Sequence, residues 1–102
     1  MTAPGAGGDK GEEDDVRTFG TKENGKTLKR NLSKLILCVE MDNWEKAEMF
    51  METIRQLTDG APRDVSRKVL RLKMAIQKEN YEKTIAEFQE LETLITEQIQ
   101  GV

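Results

Sequence analysis

The chain of 102 residues contains no histidine. That removes the side chain most used for general acid–base chemistry near neutral pH, the commonest metal ligand, and any histidine phosphotransfer. A single cysteine, Cys38, excludes an internal disulfide. There are two prolines, and the only one past residue 4, Pro62, suits the start of a helix better than its middle. The longest apolar run, Leu35 to Val39, is far too short to span a bilayer. Acids and bases are mixed to a net charge of −3, which lacks the basic face and high pI of a general nucleic-acid binder. No signal peptide is read at the start, so a cytoplasmic, soluble protein without membrane or nucleic-acid partners is the expectation.

What the chain does contain is helical spacing. Residues 1–26 hold six of the eight glycines and few apolar residues, so they are expected to form a disordered leader. Residues 27–100 form the folding unit, where apolar residues recur at three- and four-residue steps. A first helix is expected over Thr27 to Met41, with Leu28, Leu32, Leu35, Ile36 and Val39 inward. A second, capped by Asp42 or Asn43, buries Trp44, Ala47, Phe50, Met51, Ile54 and Leu57, and ends at Asp59-Gly60. The third runs from about Arg63 to Lys78, with Val65, Val69, Leu72, Met74 or Ala75, and Ile76 inward. The fourth follows Glu79-Asn80 and turns Tyr81, Ile85, Phe88, Leu91, Ile95 and Gln98 or Ile99 to the core. No stretch reads as a strand. Short connections imply antiparallel neighbours, so the fold class is all-α, an up-and-down four-helix bundle.

Two features suggest chemistry, and neither sustains it. Residues 20–27 match the phosphate-loop pattern GxxxxGK[ST], but the acidic run Glu12 to Asp15 ahead of them makes a poor central strand, and no parallel sheet can follow. Cys38 lies in an apolar helix with no base in sequence to activate it, and the carboxylates lie among lysines on helix exteriors. No catalytic, cofactor-binding or metal residues are assigned, and the chain is expected not to be an enzyme. Arg63, Arg67, Lys68, Arg71 and Lys73 make the third helix basic, and Glu82, Glu87, Glu90, Glu92 and Glu97 make the fourth acidic. Such a pattern suits solvated complementary faces, or a basic strip for an acidic partner.

One phrase occurs twice, 37 residues apart: Asp42-Asn43-Trp44-Glu45-Lys46 and Glu79-Asn80-Tyr81-Glu82-Lys83. With those copies opening the second and fourth helices, the chain resembles a histidine-phosphotransfer (HPt) domain of two-component signalling. In that family a histidine, within a His-x-Leu-Lys-Gly sequence, stands eight residues after the first aromatic. Here that position is Glu52, and Gln56 stands where the family has the glycine that lets a partner approach. The resemblance therefore implies a pseudo-HPt module that docks a receiver or kinase domain without transferring phosphate. At about 100° per residue, Glu45, Met49, Glu52 and Gln56 share the outward stripe of the second helix, with Arg55 at its edge. These five residues are the expected contact patch. Two alternatives stay open: a tetratricopeptide-like repeat, whose period of about 34 residues differs from the spacing here, and a self-associating helical domain such as a homodimer.

Overall fold

A computed structural model describes residues 18–99 of the chain. Among these described residues there are four helices: α1 (Lys22–Glu40), α2 (Trp44–Leu57), α3 (Arg63–Gln77) and α4 (Tyr81–Gln98). There is no strand among the described residues. The all-helical class and the number of helices agree with the sequence reading.

The first helix begins earlier than its spacing indicated. Gly20 adopts a left-handed φ of 104°, and the Thr21 hydroxyl then accepts the Asn24 N–H at 3.1 Å as an N-cap. Asn24 is fully buried, and its side-chain amide donates to the Leu57 carbonyl at 2.8 Å. Leu57 is the last residue of α2, so this bond satisfies a carbonyl that the helix itself leaves without a partner. Residues 18–26 are thus part of the fold, contrary to a leader extending to residue 26. The expectation of disorder for residues 1–17 lies outside the described residues.

The twin phrase proves to be one structural device used twice. Asp42 and Glu79 both sit in the left-handed region, at φ 60° and 55°. Asn43 N–H reaches back to the Cys38 carbonyl at 2.8 Å and Asp42 N–H to Val39 at 3.0 Å. Asn80 and Glu79 do the same to Ala75 and Ile76, at 3.0 and 2.9 Å. This is the Schellman pattern, with an acid where glycine is usual. Each asparagine then caps the next helix, its side chain accepting from Lys46 or Lys83 N–H at 3.2 or 3.1 Å. A three-residue connection therefore ends one helix and starts its antiparallel neighbour.

The resulting hairpins, α1–α2 and α3–α4, are joined by a turn in which Gly60 takes φ 81°. They pack together through α2 against α3 and α1 against α4, and the diagonal pairs do not touch. A stacked repeat would set α3 against α1. The helices instead close into a bundle-like ring, related by an approximate two-fold exchange of hairpins. The 37-residue register extends through the core: Leu28, Leu32, Leu35, Cys38 and Val39 correspond to Val65, Val69, Leu72, Ala75 and Ile76, all buried. Each fully buried apolar side chain contributes roughly 1.5–3 kcal/mol before entropy is subtracted.

The inward stripe of α4 is rotated from the expected one. Tyr81 is 47 % exposed, and Ile85 and Phe88 are only half-buried. Thr84 and Glu87 take the inward positions, with Leu91, Ile95 and Ile99. Two neighbours explain this, since α4 must face both α3 and α1 and leaves its bulkier residues at the flanks. On α3, Ala75 rather than Met74 points inward. Trp44, Phe50 and Ile36 pack at the edge of the core.

The left-handed acids generate a prediction. An L-residue there costs about 1–2 kcal/mol relative to glycine, partly offset by glycine's greater freedom when unfolded. Glu79→Gly is expected to stabilise the fold by about 0.5–1 kcal/mol in chemical denaturation. Asp42→Gly should gain less, because the Asp42 carboxylate also accepts the Trp44 indole N–H at 2.7 Å. Equal gains would show that this bond contributes nothing.

Candidate interaction surface

The five residues of the expected patch, Glu45, Met49, Glu52, Arg55 and Gln56, are all exposed on α2. Met49, 67 % exposed, is the apolar member of that stripe. Arg55, three residues past Glu52, grips its carboxylate through two bonds, Nε to Oε1 at 3.2 Å and Nη2 to Oε2 at 2.5 Å. The bond and charge of Arg55, the charge of Lys73 on α3, and a bond from Gln56 hold the Glu52 carboxyl below its usual range. The same pairing pushes the Arg55 guanidinium up. Glu52 therefore stays ionised near neutral pH. Beside it a shallow cavity of about 190 Å³ opens between α2 and α3, lined by Glu48, Met51, Glu52, Lys73, Ile76 and Gln77. A surface ion pair beside an exposed thioether suits recognition: it gives a partner charges of both signs and an adaptable apolar contact.

The phosphate-loop pattern has no phosphate-loop geometry. Residues 22–27 lie inside α1, and the Gly25 N–H already donates to the Thr21 carbonyl at 3.0 Å. Amides committed to a helix cannot cradle a phosphate. Cys38 is buried in the core cluster, and no group of three or more potential metal ligands occurs among the described residues.

The sequence set a basic third helix beside an acidic fourth, without saying which of their charges pair or are buried. Lys68 Nζ donates to Glu87 Oε1 at 3.2 Å and also pairs with Glu90. Glu87 is 8 % exposed, a carboxylate on the inward side of α4. Opposite charge on adjacent helices was the available signal, but which pair would be buried depends on the rotation of α4. Hydrogen bonds donated to Glu90 and Glu87 raise the Lys68 ammonium above its usual range, and the bond from Lys68 holds the Glu90 carboxyl below its own.

The sign of each shift sets the pH window. The raised Lys68 contributes stability that is complete below the ordinary lysine range and lost only as pH rises through its folded value. The lowered Glu90 contributes stability that is complete above the ordinary carboxylate range and lost as pH falls through its folded value. Both contributions are therefore intact near neutrality. In thermal melts from pH 6 to pH 3, the wild-type Tm is expected to fall more steeply than that of Lys68→Met. Parallel curves would show that these pairs do not stabilise the fold.

Comparisons with protein-family models, with curated proteins and with solved structures find no match to this chain.

Proposed function

We propose that the chain is a non-catalytic helical interaction module of pseudo-HPt type, which docks a receiver or kinase domain of a two-component system without phosphotransfer. The observation that carries this reading is the outward stripe of α2, where the exposed Met49 lies beside the ionised Glu52. Glu52 occupies the position, eight residues after Trp44, at which the resembled family carries its histidine. An exposed acid, ionised near neutral pH and paired with Arg55, supplies a carboxylate but no imidazole to accept a phosphoryl group. Gln56, where that family has glycine, adds bulk and a polar side chain to the approach. Docking here would rest on Met49 for apolar contact, and on the Glu52–Arg55 pair for orientation.

The test is titration of the full chain with isolated receiver domains by calorimetry, alongside Met49→Asp and Glu52→Lys variants. Both positions are exposed, so circular dichroism should show the fold unchanged. Binding is expected to weaken by about tenfold or more, which is about 1.4 kcal/mol, in each variant. Unchanged affinity in folded variants would remove α2 as the docking face, and absence of binding by the wild type would remove the two-component reading.

A further inference from the structure

Packing accounts for the inward half of the 37-residue register but not for its outward half. Opposite the buried line of α3 stand Arg67, Leu70, Arg71, Met74 and Lys78, all exposed. Leu70 is 55 % and Met74 45 % accessible. The outward face of α1 carries Arg30, Lys34 and Leu37 at the positions equivalent to Arg67, Arg71 and Met74, followed by Met41. Leu37 and Met41 are more exposed still, at 60 % and 76 %. Basic residues beside exposed aliphatic ones thus occur twice, on the two helices that do not touch.

The charges on α3 are not consumed within the fold. Lys68 is taken up by Glu87 and Glu90, whereas Arg67 and Lys78 form no ion pair among the described residues. Arg67, Arg71 and Lys78 lie on the side of Leu70 and Met74 that faces α4, where Lys83 adds a fourth cation. Together with Leu70, Met74 and one carboxylate, Glu87, which is already paired with Lys68, they line a groove of about 650 Å³ between the two helices.

We propose that this groove and stripe on α3 dock an acidic amphipathic helix of a partner protein, with the α1 stripe as a second, weaker copy of the site. The apolar strip is one helix wide, and the stretch from Arg67 to Lys78 is roughly 17 Å long, about three turns of a partner helix. Apolar residues one turn apart on the partner would rest on Leu70 and Met74, and carboxylates on the adjoining face would reach the arginines and lysines. The weaker copy follows from Ser33, which stands where α3 has Leu70. A wider polyanion is disfavoured: a membrane or a nucleic-acid duplex would overhang the stripe onto the acidic α4 of a chain whose net charge is −3. The groove lies on the α4 side of α3 and the α2 patch on its other side, and the two meet where Leu70 and Arg55 line one cavity of about 250 Å³.

The probe is a fluorescein-labelled peptide of leucine and glutamate, roughly three turns long, with leucines at three- and four-residue steps. Fluorescence anisotropy with the full chain should show binding that weakens as salt is added. A loss of tenfold or more is expected in Arg67→Glu/Arg71→Glu and in Leu70→Ser, with a smaller loss in Arg30→Glu/Lys34→Glu. Circular dichroism checks folding, and retention of receiver-domain binding by Arg67→Glu/Arg71→Glu would separate this site from the α2 reading. Four results would overturn the proposal: no binding at millimolar peptide, unchanged affinity in the folded α3 variants, loss of peptide binding in Met49→Asp instead, or tighter binding to phosphatidylserine vesicles or a short DNA duplex.

Discussion

Reversing a helix within three residues strands carbonyls at one end and N–H groups at the next. In this chain the same five-residue phrase answers both needs, twice. The left-handed acid at Asp42 or Glu79 turns the last amides back onto the finished helix, and the asparagine after it caps the new one. That reversal sets where each hairpin's second helix begins, and so which of its faces meets the first. The 37-residue register of the core follows from it, since connectors of the same length and backbone geometry impose the same phase on both hairpins. Closure then needs only the Gly60 turn to bring α2 against α3 and α1 against α4.

Local chemistry was the legible part. The breaks at 42–43, 59–60 and 79–80 are visible because capping residues and a Gly-x-Pro sequence act within a few positions of themselves. The inward line of α3 is visible because it has one dominant buried side. The start of α1 was hidden, because Asn24 earns its burial through a carbonyl 33 residues away. A polar residue followed by glycine has no local mark of helicity. The rotation of α4 was hidden for a related reason. Its inward positions include Thr84 and Glu87, which composition assigns to the surface, and only Lys68 on the facing helix makes an inward carboxylate tolerable.

The candidate patch on α2 was readable as a stripe, since all five residues are exposed as the wheel places them. Its electrostatics were readable only in part. The Glu52–Arg55 pair follows from their three-residue spacing on a helix, whereas the influence of Lys73 requires knowing that α2 and α3 are neighbours. The exposed Leu37 and Leu70 were legible in the same partial way. The helical spacing leaves both off the inward lines of their helices, but only the ring of contacts shows that no neighbouring helix covers them, at 60 % and 55 % exposure.

A closed ring of four short helices has consequences for how such a chain can act. Its interior is filled by leucine, isoleucine and valine, so recognition must use outward faces and the shallow grooves between helices. Those faces alternate: α1 and α3 present cations, and α4 presents mainly carboxylates. Alternation lets each interface hold opposite charges, as Lys68 does with Glu87 and Glu90, while the overall charge stays small. It also limits any extended polyelectrolyte, because a partner attracted by one helix meets its own sign on the next. Only a partner about one helix wide can follow a single face without crossing that boundary. On the basic faces the geometry therefore favours a short acidic helix over a broad polyanion, and the repetition of that face on α1 and α3 gives one chain two such stripes.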